Sequence, residues 1–456
     1  MRVKRFKFRP IGIVVASFVI VIFAGAGLLC LPFAVRSGEP DFLIALFSAT
    51  SATCVTGHTV IDPYTYFTGF GQAVMLVLIQ IGGLGFITII SLFMLYIKKD
   101  VTLSDRKLAM QSAGGLKMAG LKGLLKYIFI GTFSLEFLGA VLLAISFVPD
   151  YGWGLGIWQA VFTSVSSFCN AGFSLTGAGG DLSLAGYNSD PLFLIVVMAL
   201  IAIGGLGFYV WYDVIKGRFR PSRYSLHTKV VLISTGAILL LAWALFMAFE
   251  WNNDGTIGKM NAGDKVLNCL FFAVTPRTAG HYTVDMNYFS DGAYILTNVL
   301  MFVGGSPGST AGGIKTTTIA VLIMSAISTS RRRTEAHIFK RRFEDDALPQ
   351  AGTVFFIYLS MVILCSMIIS AIEAQSGFTT HQIVFEVVSA IGTVGLSCGP
   401  DAANPTLTGL LSSGSQLILI FLMFLGRVGG FTLILVFTNE RKPVTISRVP
   451  DSLIIG

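Results

Sequence analysis

Residues 385–396 read Phe-Glu-Val-Val-Ser-Ala-Ile-Gly-Thr-Val-Gly-Leu, a short apolar run ending in the triplet Thr393-Val394-Gly395. The same frame occurs three more times. Phe47, Phe162 and Leu270 stand ten residues before Gly57, Gly172 and Gly280, as Phe385 does before Gly395, and Ser51, Ser166, Val274 and Ser389 stand six before, without a gap. The four triplets, Val55-Thr56-Gly57, Asn170-Ala171-Gly172, Thr278-Ala279-Gly280 and Thr393-Val394-Gly395, recur at intervals of roughly 110 residues, each between two long apolar runs. Glycine suits a loop that turns its carbonyl oxygens toward a common axis, because the backbone angles required are resisted by residues with side chains. Carbonyl rings of this kind replace the water shell of a dehydrated cation.

Composition sets the class. Hydrophobic residues make up 54% of the 456 residues and charged residues only 12%, so most of the chain must sit in lipid or against segments that do. A net charge of +8 raises the question of nucleic acid, but the basic residues form no binding face, and none is expected as a partner. Of 32 Lys and Arg, 26 fall at positions 1–10, 98–126, 216–229, 331–342 and 441–448, each cluster at one end of an apolar span. The positive-inside rule places these clusters and both termini in the cytoplasm. The six cysteines have no spacing suited to zinc, and no transition-metal site is expected.

Four units of long helix, short apolar segment, glycine loop and long helix follow one another. The outer spans are expected near 11–33, 123–148, 226–250 and 351–373, and the inner spans near 70–97, 191–215, 290–329 and 415–438. Segments near 42–52, 156–167, 263–274 and 380–391 are too short to cross and read as re-entrant pore helices. The fold expected is an all-α membrane protein with eight spanning helices around one pseudo-four-fold pore. Its repeats are 1–98, 99–217, 218–330 and 331–456. Glycine clusters match in the inner helices at Gly82-Gly83-Leu84-Gly85, Gly204-Gly205-Leu206-Gly207, Gly304-Gly305 and Gly426-Arg427-Val428-Gly429, where small residues permit close approach.

The third inner span is interrupted by residues 303–315, which include Gly304, Gly305, Ser306, Pro307, Gly308, Ser309, Thr310, Ala311, Gly312, Gly313 and Lys315. A regular helix through so many glycines and a proline is costly. Unwound backbone at membrane depth must line a cavity or be enclosed by protein, so this loop is expected under the glycine triplets, across the ion path. Arg427 lies at the same register and needs acceptors, which loop carbonyls would supply. Lys315 has a stem long enough to snorkel to the cytoplasm. Arg277 is expected to point back into the pore-helix scaffold. Glu136 reads as a buried structural partner, and Glu386 as a partner of Arg277 or of backbone donors. His58 and His281 follow their glycines and read as polar rim residues of the outer mouth. Thirteen acids, among them Asp41, Asp62, Asp150, Asp181, Asp190, Asp254, Asp285 and Asp401, fall in loops on that side and would draw cations toward it.

The motifs Thr53-Cys54-Val55-Thr56-Gly57, Phe168-Cys169-Asn170-Ala171-Gly172-Phe173, Thr275-Pro276-Arg277-Thr278-Ala279-Gly280 and Gly392-Thr393-Val394-Gly395-Leu396 resemble the four filters of the Trk/Ktr/HKT superfamily of cation transporters, over about residues 10–440. With four repeats and no extra helix pair before the first, the chain is most similar to the Ktr branch. The resemblance implies potassium uptake across the cell membrane stimulated by sodium, a homodimer with one pore per protomer, and residues 303–315 as a gating loop held by Arg427. It also implies a KtrA-like cytosolic ring that binds ATP or ADP, since this chain has no phosphate-binding loop of its own. A less selective sodium/potassium transporter is the alternative. A proton-coupled solute carrier would want inverted repeats, and an intramembrane enzyme would want converging nucleophile, base or metal ligands; neither pattern occurs.

Overall fold

The computed structural model describes residues 10–36, 38–85, 121–179, 183–332, 337–338, 341–342, 346–400 and 406–429. Apart from a two-residue strand pair, His337–Ile338 with Arg341–Arg342, the described residues form helices and loops. The principal helices are α1 (Pro10–Leu29), α2 (Phe42–Cys54), α3 (Pro63–Tyr66), α4 (Gly69–Leu84), α5 (Leu121–Cys169), α6 (Pro191–Gly205) and α7 (Phe208–Lys216). They continue with α8 (Leu226–Glu250), α9 (Ala262–Val274), α10 (Asp291–Phe302), α11 (Thr316–Ser330), α12 (Ala347–Ile372), α13 (Thr380–Gly392) and α14 (Ser413–Val428).

Local sequence sets the helix ends. Asp41 caps α2 by accepting from the Leu43 and Ile44 amides at 2.7 and 3.1 Å, and Asp190 caps α6 by accepting from Phe193 at 3.1 Å. Two acids at the ends of long helices reach across to the start of the helix after next. Glu250 closes α8 and accepts from the amide and hydroxyl of Ser290, the cap of α10, at 2.9 and 2.7 Å. Glu373, just beyond α12, does the same for Ser412 ahead of α14, at 2.9 and 2.6 Å. α5 joins an outer helix and a short inner one across a break at Pro149 and Gly152, the latter at φ 76°.

α2, the second half of α5, α9 and α13 form the centre. Phe47, Phe162 and Phe385 are fully buried there, while Leu270 is half-buried and Phe271 and Phe272 fill the third position. The outer helices turn large apolar side chains outward, with Phe137 73% and Phe356 70% exposed. Exposure on this scale to water would forfeit about 2 kcal/mol per side chain, so the surroundings of this surface are hydrocarbon.

The first, second and fourth inner helices also break within the expected spans. α4 ends at Leu84 with Gly85 at φ 79°, α6 ends at Gly205 and turns by 91° into α7, and α14 ends at Val428 with Gly429 at φ 91°. The expected portions 86–97 and 430–438 lie outside the described residues. The breaks share one register, because the glycine three residues after Gly82, Gly204 or Gly426 has a positive φ, of 79°, 98° and 91°. Among the described residues three helices are long and apolar enough to cross a membrane, Leu125–Cys169, Leu226–Glu250 and Ala347–Ile372, with a fourth if the bent pair α6–α7 counts as one.

Candidate functional site

The four triplets adopt one backbone pattern. Their first residues, Val55, Asn170, Thr278 and Thr393, have φ of 56°, 59°, 72° and 53°, and their glycines have φ of 93°, 71°, 78° and 88°. Left-handed backbone at Val55, Thr278 and Thr393 is costly for β-branched residues and persists only where the surroundings enforce it. The enforcement comes from the preceding helix. The amides of Thr56, Ala171 and Val394 donate to the carbonyls of Ser51, Ser166 and Ser389 at 2.8, 2.7 and 2.9 Å. The hydroxyls of those serines accept from the amides of Gly57 (3.1 Å), Phe173 (2.9 Å) and Gly395 (3.1 Å). The third unit has Val274 at the serine position and substitutes Thr275, whose hydroxyl donates to the His281 carbonyl. The serine six residues before Gly57, Gly172 and Gly395 is thus a backbone anchor, and with the amides spent on the helix side the carbonyls remain free on the other.

The four loops close on one another. A β-carbon on Gly57 would lie 2.5 Å from the Ala171 carbonyl oxygen, and one on Gly172 would lie 2.7 Å from that of Ala279. At Gly280 and Gly395 it would overlap the oxygens of Val394 and Thr56. The order first to second, second to third, third to fourth and fourth to first is a closed ring around one axis. All four glycines also line a cavity of about 310 Å³, together with Asp62 and Tyr282. The inner-helix glycines brace this ring from behind. Gly82, Gly204 and Gly426 leave no room for a side chain against the carbonyls of Thr53, Phe168 and Ile391, each two residues before a triplet.

Residues 303–315 lie on the other side of the ring. The loop is held to the second unit by Ser306 N–H to Gly205 O (3.1 Å), Phe208 N–H to Gly308 O (2.8 Å) and Thr310 Oγ1 to Phe168 O (3.2 Å). On the fourth unit Gly312 abuts the Thr393 side chain and Gly313 the Gly392 carbonyl. Phe168 stands two residues before the second triplet and Thr393 opens the fourth, and these triplets are diagonal in the ring, so the loop crosses beneath its centre. Arg427 donates to the carbonyls of Thr310 and Gly82, and to Gly83 at 3.3 Å. Lys315 does not snorkel: its Nζ donates to the carbonyls of Ala311 (2.8 Å) and Gly312 (3.2 Å). Two cations therefore neutralise three successive loop carbonyls.

Other expected residues fall differently. His58 and His281 are both buried, and His58 lines the cavity together with the four glycines. His58 Nδ1 stands 3.1 Å from Thr408 Oγ1 and 3.3 Å from Glu386, and His281 Nε2 stands 3.2 Å from Ser167 Oγ. Glu386 accepts from Ser397 (2.8 Å) and Thr408, not from Arg277. Arg277 turns into the scaffold, as expected, beside Ile201, Val274 and Gly305. Glu136 is buried and accepts from Gln80 at 3.0 Å. Asp41, Asp190 and Asp285 serve first as helix caps, a role that residue counting by loop did not anticipate. Asp181, Asp401 and most of the basic clusters lie outside the described residues.

Described residues that are almost wholly helical, with an apolar exterior and four loops closed around an axis, fit the class of membrane transport proteins. A family profile described as "TrkH: Cation transport protein" matches residues 9–443. The "Potassium/sodium uptake protein NtpJ" of Enterococcus hirae is 39% identical over 458 residues, covering 99% of this chain and 98% of that protein. The "Ktr system potassium uptake protein B" of Bacillus subtilis is 39% identical over 452 residues, with 98% and 97% covered. The crystal structure of the potassium transporter TrkH from Vibrio parahaemolyticus superposes with a TM-score of 0.74 at 20% identity, over 96% of this chain and 87% of that one. The chain belongs to the TrkH family of cation transport proteins, which are transporters and not enzymes.

Proposed function

We propose that this protein takes up potassium ions across the cell membrane through the ring formed by Val55–Gly57, Asn170–Gly172, Thr278–Gly280 and Thr393–Gly395, acting as a selectivity filter. The observation that carries this reading is the closed cycle in which each glycine meets the middle carbonyl of the next triplet. Carbonyls so fixed supply the oxygen ligands that a dehydrated cation needs. Gly304–Gly313, with Lys315 and Arg427, is the gate: the loop blocks the axis and must move for an ion to pass. In this reading repeats 1–98, 99–217, 218–330 and 331–456 supply eight spans, with both termini in the cytoplasm and Asp62 at the outer mouth.

The names of relatives support part of the rest. Two proteins 39% identical to this chain are called a potassium/sodium uptake protein and a component of a Ktr system. The word "system" supports a multi-component assembly; the further reading, carried by the sequence resemblance alone, is a homodimer with a KtrA-like cytosolic ring that binds ATP or ADP, stimulated by sodium. The potassium/sodium name also supports a less selective transporter, and competition between the two ions decides. The test is rubidium uptake into vesicles holding the purified chain: saturable flux blocked by potassium and weakly by sodium is expected, and absence of cation flux would overturn the reading.

A further inference from the structure

On the flank away from the ring, α5, α7 and α8 bound a groove of about 640 Å³. Its walls are apolar, including Ile130, Leu135, Leu206, Trp211, Val214 and Leu232. Gly131 keeps it open, since a β-carbon there would stand 3.5 Å from the Trp211 ring and a longer side chain would enter the space. Lys126 lines the groove, and Lys216 sits 5.4 Å from the centre of the Tyr212 ring, which packs at 5.7 Å on Tyr127 of the same wall. No Asp or Glu is among the described lining residues. Asp213, the acid of α7, is engaged by the Ser225 amide (2.8 Å) and the Thr228 hydroxyl (2.6 Å).

We propose that this groove binds an anionic phospholipid, one acyl chain lying along Trp211 and the phosphate meeting Lys126 and Lys216. The apolar walls select hydrocarbon over water, and two ammonium groups with no facing carboxylate among the described residues select a net negative headgroup over a zwitterionic one. Occupancy has a consequence for the loop. α7 forms one wall, and its first residue, Phe208, donates to Gly308 at 2.8 Å. A lipid seated behind α7 braces the helix to which residues 303–315 are tied.

The inference rests on the membrane nature of the family and not on the transport role of the ring, so its test needs no flux. The purified full chain in mixed micelles is titrated with brominated phosphatidylglycerol or brominated phosphatidylcholine, and the fluorescence missing from Trp211→Phe gives the Trp211 share. Quenching by the glycerol lipid at roughly tenfold lower concentration is expected, falling by roughly fivefold in Lys126→Gln or Lys216→Gln. Gly131→Leu, which fills the groove and favours the helix, should remove Trp211 quenching by either lipid. Should that variant fail to fold, the two lysine variants decide alone. Equal quenching by both lipids overturns the proposal, as does none by either, which would mean that residues 86–120 or a second copy of the chain fills the groove.

Discussion

Replacing Gly280 by serine tests the filter most directly. The new β-carbon overlaps the Val394 carbonyl oxygen, and φ at this position is 78°. The left-handed backbone alone costs a serine roughly 1 kcal/mol relative to glycine. The overlap adds to that and has no side-chain remedy, because the obstructing atom is backbone: the carbonyl must retreat by roughly 1 Å to reach ordinary contact. One of the four carbonyls in that layer then no longer matches the ion, and discrimination for potassium over sodium should fall about tenfold, ~1.4 kcal/mol. The structure also orders the four positions. Gly395→Ser meets the Thr56 oxygen as closely and should behave alike, whereas Gly57→Ser at 2.5 Å and Gly172→Ser at 2.7 Å should lose less. The assay is potassium uptake per molecule of purified protein in vesicles, with sodium as competitor. Unchanged relative affinities in a normally folded Gly280→Ser protein, or larger losses at Gly172 than at Gly280, would refute the assignment.

Deleting Ser306–Gly312 should raise rubidium flux severalfold in protein that still elutes as a monodisperse species, and equal or lower flux would remove the gating role. Arg427→Lys keeps the charge but cannot fork to Thr310 and Gly82 together, so flux should rise in the same direction, read in the same vesicles. Burial would push the Glu373 carboxyl up, but hydrogen bonds from Ser412, Ser415 and Ser376 outweigh it and hold it at about 2. A depressed folded value means stability that is present above the unfolded value of about 4.3 and lost as pH falls toward the folded one. Thermal midpoints should therefore drop between about pH 4 and pH 2, and Glu373→Gln should flatten that limb in a melting series. Flux through the isolated chain should ignore ATP and ADP and respond only once a nucleotide-binding partner is added; a response without the partner would place the control in this chain.

The four loops were legible because the constraint there is local: the phenylalanine, serine and glycine frame reports a helix end, its hydroxyl anchor and a left-handed turn, all within ten residues. Residues 303–315 were legible for the same reason, since no helix tolerates that composition. What sequence spacing did not disclose was tertiary choice. Hydropathy continues smoothly through Gly85 and Gly207, so it cannot register a helix that stops where its glycine turns left-handed. His58 and Glu386 are far apart in the chain, and only the tertiary fold brings them to 3.3 Å. Lys315 had two ways to satisfy its charge, and the nearby loop carbonyls won over the distant water.

Because one chain supplies all four quadrants, a substitution enters the ring once. In an assembly of four identical subunits the same change would be imposed four times over, and an unwound stretch like residues 303–315 would crowd the axis from every side. Here the second and fourth quadrants clasp a single loop contributed by the third, with Gly312 against Thr393 and Thr310 reaching Phe168. Under the proposed function, conduction then rests on features the quadrants share and obstruction on the feature that only one of them has.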